Sequence, residues 1–202
     1  MNWVWRTCSC RIFSEPRVPF SRLFIWVEGR DDSRFFESCI KPLLKDKYDK
    51  VLVREYCQQP KDQIKKFISA PSERGHHIVF ADIDGQLCVT AKKNQITRTR
   101  FGRVGTENVF VVVQEIESWY LAGLDAEGFA QLGLREIQST DTLKKEQFDD
   151  LMDNSSFDSR VVFMQEILKL FSVEVAKEKN ASFRYFANKL LPEAQSAESQ
   201  ND

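Results

Sequence analysis

Four short apolar runs, at residues 23–27, 51–53, 78–81 and 109–113, constrain this chain more than any other feature of its sequence. They are continuous rather than alternating, so the strands they predict must be covered on both faces, as in a parallel sheet. Between them lie segments of helical period. Asp31, Asp32 and Ser33 offer N-caps for a helix with apolar positions Phe35, Phe36, Cys39, Ile40, Leu43 and Leu44. Pro60 can open a second helix carrying Ile64, Phe67 and Ile68, and Gly75 closes it. Residues 76–83 read as the third strand, residues 86 to about 100 as a polar helix, and residues 108–115 as the fourth strand. The alternation β-α-β-α-β-α-β predicts an α/β fold, mainly parallel, with helices on both faces of the sheet.

Beyond Trp119 the strand pattern stops. Trp119, Leu121, Leu124, Phe129, Leu132 and Leu134 imply short helices. Val161, Val162, Ile167, Leu168, Leu170 and Phe171 imply another, and Phe183, Phe186, Leu190 and Leu191 a last one that Pro192 ends. The expected division is a poorly ordered leader over residues 1–20, an α/β core over 21–124, a helical extension over 125–191 packed on that core, and a disordered tail rich in Ser, Gln and Glu over 192–202.

With 42% hydrophobic and 12% aromatic residues, the chain can bury a full core. Lys and Arg total 29 against 30 for Asp and Glu, so the net charge of -1 leaves only a local patch to attract nucleic acid. The five cysteines (Cys8, Cys10, Cys39, Cys57, Cys88) are odd in number, and their one C-x-C pair has no second pair to complete a zinc site. Reduced thiols and a cytoplasmic location are expected. Arg6, Arg11 and Arg17 interrupt the apolar residues near the start, so no signal-peptide core forms there. No run approaches the roughly 18 apolar residues of a membrane span.

Three of the predicted strands end in carboxylates: Glu28 after the first, Asp82 and Asp84 after the third, Glu115 and Glu117 after the fourth. Strand ends of an open parallel sheet share one edge, where ligands bind, so these residues converge. Asp82 and Asp84 would project to one face of an extended strand, Cα atoms ~6.6 Å apart. Taken alone, Asp82-Ile83-Asp84-Gly85 reads equally well as a turn. Asp32 is most simply a helix cap and secondarily a metal contact. Ser118 offers an N-cap after the fourth strand, so one of Glu115 and Glu117 belongs to a helix start, with Glu115 favoured as the site residue.

Gathered carboxylates repel one another unless a cation neutralises them. Hard oxygen donors without His or Cys suit Mg²⁺ or Mn²⁺. His76 and His77 have no zinc-like partners and take no role. Lys92, Lys93, Arg98, Arg100 and Arg103 follow the acidic pair with no acid among them. They form either a solvated helix face or a surface for nucleic-acid phosphates.

The order Val27-Glu28-Gly29-Arg30-Asp31-Asp32, then a strand ending Asp82-Ile83-Asp84, resembles the TOPRIM (topoisomerase–primase) domain. It looks most like the version in OLD-type (overcoming lysogenization defect) nucleases and in small stand-alone TOPRIM-like bacterial proteins. The latter also share a strand ending like Glu115-Ile116-Glu117-Ser118-Trp119 and a late segment like Ser182-Phe183-Arg184-Tyr185-Phe186. The resemblance covers residues 22–191 and implies a Rossmann-like TOPRIM sheet with a C-terminal helical extension. It implies that Glu28 is a catalytic glutamate, acting as general acid/base or metal ligand, that Asp82 and Asp84 bind Mg²⁺, and that Asp32 is a further acidic position. The serine and lysine that some OLD-type nucleases use have no distinct counterpart here. A phage-defence setting and a partner ATPase are also implied, for OLD nucleases carry an ATPase in the same chain and this sequence has no G-x-x-x-x-G-K-[ST] loop.

The leading expectation is a Mg²⁺-dependent nuclease acting on DNA or RNA. Asp82, Asp84 and Glu28 would hold the metal, Glu115 would help with a second ion, and Asp32 and Glu117 would contribute less. The rival is a non-catalytic, metal-binding regulatory or interaction module working with a partner ATPase. Homo-oligomerisation through the helical half stays open, with no heptad to specify it.

Overall fold

The computed structural model describes residues 21–71 and 74–191. The expected leader and tail, with Cys8, Cys10 and Pro192, lie outside the described residues. The apolar runs form β1 (Arg22–Val27), β2 (Lys50–Glu55), β3 (His76–Asp82) and β4 (Val109–Val112). They pair in the order β2-β1-β3-β4, every pairing parallel, with Trp26 beside both Arg54 and Val79. Leu23 to Val27 of β1 are wholly buried, which is why that run carries no polar residue.

Successive side chains alternate between the faces. Leu23, Ile25 and Val27 share one core with Ile78, Phe80, Phe110 and Val112, whereas Phe24 and Trp26 share the other with Val79, Ala81 and Val109. Right-handed crossovers place the helix after β1 on one face and the helices after β2 and β3 on the other. The two cores follow that rule. Phe35 and Phe36, from α1 (Arg30–Phe35) and its continuation, join the first; Ile64 of α2 (Lys61–Ser69) and Ile96 of α3 (Val89–Thr99) join the second. The continuation of α1 is a π-helical segment, Phe36–Ile40, and a 3-10 turn, Lys41–Leu44. Pro42 lacks an N–H and its ring crowds the carbonyl four residues back, and the Lys41 N–H donates to Phe36, five residues back.

One helix cannot cover four strands, so the first face needs the rest of the chain. It is completed by α4 (Ile116–Ala122), α5 (Ala126–Gln131), α6 (Lys145–Asp153), α7 (Arg160–Lys169), α8 (Val173–Lys179) and α9 (Ala181–Leu190). Phe186 of α9 meets Phe80 and Phe110 edge-on, ring centres 5.1 and 5.6 Å apart, and stacks on Trp119 at 5.3 Å. Such pairs contribute about 0.5–1.5 kcal/mol each beyond their burial. Ser182 accepts from the Trp119 indole N–H at 2.8 Å and donates to Asn180 Oδ1, so the Ser182–Phe186 segment ties α9 to α4. Among the described residues no helix is long and apolar enough to cross a membrane.

Several boundaries differ from the sequence expectation. β4 stops at Val112, Gln114 takes a positive φ of 72°, and Glu115 itself is the N-cap of α4, with Ser118 buried inside that helix. Gly29, not Asp31, Asp32 or Ser33, caps α1, and Asp32 reaches back to accept the Gly29 N–H at 3.1 Å. The helix expected from residue 86 begins at Val89.

Candidate functional site

From β1 the chain crosses to β2 on one side, while β3 and β4 lie on the other. At such a reversal the loops leaving the two central strands part, opening a crevice at the strands' carboxyl ends. Glu28 directly follows β1 and Asp82 ends β3, so neighbouring strands each deliver a carboxylate to that crevice. A cleft of about 340 Å³ lies there. Glu28, Asp31, Asp32, Asp82, Glu115 and Glu117 line it, together with Gly29, Arg30, Cys57, Ile116 and Lys145.

Glu28 is held from two sides. Its Oε1 accepts from the Tyr56 hydroxyl at 3.1 Å and from the Asp82 N–H at 3.2 Å. Burial, and next the Asp84 charge, raise its pKa, against the opposing pull of Lys92. Asp82 is more strongly perturbed. Its Oδ1 is buried with no hydrogen-bond partner, and burial, followed by the charges of Asp32, Glu28, Glu117 and Asp84, pushes its pKa up to about 10. Burial likewise lifts Asp32 to about 7, although the Gly29 N–H opposes the shift.

Asp84 corrects the sequence reading. β3 ends at Asp82, and Asp84 and Gly85 turn through positive φ values of 43° and 65°, so the two aspartates do not share an extended face. The D-G turn is what the backbone adopts. The Asp84 side chain is 60% exposed, lies outside the cleft lining, and pairs with Lys92 Nζ at 2.7 Å. Lys92, expected on a basic surface, is buried in that pair. The rest of the basic stretch also divides. Lys93 lies over the Tyr185 ring at 5.5 Å, Arg100 donates to the Tyr56 carbonyl at 2.9 Å, and Arg98 and Arg103 are exposed.

Glu115 Oε2 accepts the Lys145 N–H at 2.7 Å, which joins the end of the sheet to the start of α6. Glu117 is buried and its Oε1 accepts from Arg160 Nη2 at 2.5 Å; burial raises its pKa and Arg160 holds it down. Arg160 also pairs with Asp31 at 3.4 Å and with Asp149, and its guanidinium lies over Phe148. His76 bonds Tyr48 and Asn108, and His77 bonds Trp26, so both are structural.

Among the described residues, no group of three or more His, Cys, Asp or Glu side chains is arranged to hold a metal ion. Glu28, Asp32, Asp84, Glu115 and Glu117 each have an in-chain donor, and Asp82 Oδ1 alone among these carboxylates is buried without one. Burial first, and the neighbouring carboxylates after it, raise Asp82 and Asp32, and oxygen donors of this kind are the type that hard cations take. Sequence reasoning missed Tyr56, Lys145 and Arg160. Tyr56 directly follows β2, so its place at the same sheet edge was readable; Arg160 lies 43 residues from Glu117 and carries no local signal.

Fold and site together describe a doubly wound parallel α/β domain with an acidic cleft at its switch point. No protein-family model matches the sequence, and no curated protein matches it. Among solved structures, the chain is similar to the C-terminal region of the Burkholderia pseudomallei OLD protein, with 15% identity, coverage of 84% of this chain and 98% of that one, and a TM-score of 0.48. It is also similar to the C-terminal region of the Xanthomonas campestris pv. campestris OLD protein, with 17% identity, 85% and 98% coverage, and a TM-score of 0.44.

Proposed function

We propose that this chain is a Mg²⁺-dependent nuclease that hydrolyses phosphodiester bonds of DNA or RNA in the cleft between β1 and β3. The observation that carries the reading is Asp82: a buried carboxylate oxygen without a donor, surrounded by further carboxylates, at the switch point of the sheet. Leaving such a group unpaired costs free energy that a divalent cation would offset. Asp82, Glu28 and Asp32 would hold the ion, and Asp84 would join them on leaving Lys92. Glu115 and Glu117 lie further round the same cleft. Bound there, Mg²⁺ or Mn²⁺ would polarise a phosphate oxygen and acidify water.

The chain's own groups supply the remaining chemistry. Glu28, oriented by Tyr56 and the Asp82 N–H and raised in pKa, would take the proton of the attacking water. Arg30 and Lys145 line the cleft and offer positive charge to the phosphate. A role in phage defence and a partner ATPase belong to the same proposal and rest on the TOPRIM resemblance.

The test is cleavage of DNA and RNA with Mg²⁺ or Mn²⁺, comparing wild type with Glu28→Gln and Asp82→Asn. Each substitution is expected to slow cleavage by about 10²-fold or more; equal activity in all three proteins refutes the assignment. One observation favours a non-catalytic module instead: Lys92 and Arg160 already neutralise Asp84 and Glu117. Calorimetric Mg²⁺ binding without turnover of any nucleic acid would select that reading.

A further inference from the structure

An acidic cleft repels a polyanion. If the scissile phosphate enters it, the flanking phosphates need a positive surface close by, and the protein's net charge of -1 does not provide one in general. A groove of about 250 Å³ on the α2–α3 face has that character. It is lined by Lys65, Arg100 and Arg103 with Ile68, Ser69 and Gly102, and no carboxylate is among its lining residues. The cations come from two separate elements, α2 and the turn after α3. Among the described residues none of the three forms a salt bridge. Three like charges thus line one space.

The groove also adjoins the cleft. Arg100 Nη1 donates to the Tyr56 carbonyl at 2.9 Å, the Tyr56 hydroxyl donates to Glu28 at 3.1 Å, and Cys57, the next residue, lines the cleft. The basic lining and the acidic lining are thus joined through Tyr56 and Cys57. We propose that the groove between α2 and the turn after α3 is a phosphodiester-binding subsite, in which Lys65, Arg100 and Arg103 hold the nucleic-acid strand where it leaves the cleft. Guanidinium groups suit this task because their fork matches two phosphate oxygens at once. The inference rests on the nucleic-acid reading of the cleft, yet its binding step needs no metal.

Fluorescence anisotropy of a labelled oligothymidylate, with EDTA present and over a range of NaCl concentrations, tests it on the full chain. The variant is Lys65→Gln with Arg103→Gln; Arg100 is left in place because it also supports the Tyr56 backbone. The double variant is expected to bind at least about tenfold more weakly at low salt. Its slope of log affinity against log salt should fall by about 1.4, since each lost single-strand phosphate contact removes about 0.7. An unchanged affinity and slope overturns the subsite. Wild type that cleaves in Mg²⁺ while the variant binds normally removes the groove and keeps the nuclease. Wild type that never cleaves while the variant loses binding keeps the groove and removes the nuclease.

Discussion

Asp82→Asn probes the electrostatics of the cleft with almost no change of shape. In the metal-free protein, Asp82 keeps its proton up to about pH 10, whereas the unfolded chain releases it near 3.8. Between those limits the folded state binds one more proton than the unfolded state, so stability falls as pH rises. The limiting slope is about 1.4 kcal/mol per pH unit. Asp32, pushed up to about 7, contributes a second loss of the same sign, which tails off only above that pH. From pH 5 to 8 Asp82 alone removes about 4 kcal/mol, a large part of the roughly 5–15 kcal/mol that holds a typical domain folded. Asn cannot ionise, so the variant loses that slope, most visibly toward pH 8, where the Asp32 contribution fades. Urea unfolding of wild type and Asp82→Asn in EDTA, at pH values from 5 to 8, measures the difference. Wild-type stability that stays level or rises over that range, or a variant with the wild-type slope, refutes the reasoning. Mg²⁺ added at pH 8 should restore stability to wild type, by about 2.7 kcal/mol at a hundred times its dissociation constant, and leave the variant unchanged.

The two ion pairs at the rim give further tests. Asp84→Ala leaves the buried Lys92 without a partner and should cost about 3 kcal/mol, whereas Lys92→Met leaves an exposed Asp84 in water and should cost about 1 kcal/mol or less; urea midpoints for the two variants check the asymmetry. Arg160→Ala leaves Glu117 buried and unpaired, with an expected loss of about 3 kcal/mol at pH 8. The loss should shrink as pH falls, because protonating Glu117, whose pKa is raised by burial, removes its need for the guanidinium, and a loss that does not change with pH contradicts this account.

The α/β architecture was legible because burial on both faces leaves a direct mark: β1 has to be apolar at every position from Leu23 to Val27. Chain order also placed Glu28 and Asp82 after strands that end on one edge, so their convergence followed from topology alone. Helix period further indicated that Phe183 and Phe186 face the core, as they do.

What the sequence by itself determined, then, is the set of strands, their parallel sense, and the carboxylates at their ends. Those properties depend on local period and on which residues must avoid water. Tertiary structure alone decided the partnerships. The dipeptide Asp84-Gly85 is compatible with an extended strand or a turn, and only the turn lets Asp84 reach a buried Lys92. Arg160 meets Asp31 from 129 residues away, and Lys65 shares a groove with Arg100 although they belong to different elements. A charged residue in a polar helix looks the same whether it faces solvent, an ion pair or a ligand groove, because hydrophobic periodicity records which face is buried and not which charge it meets there.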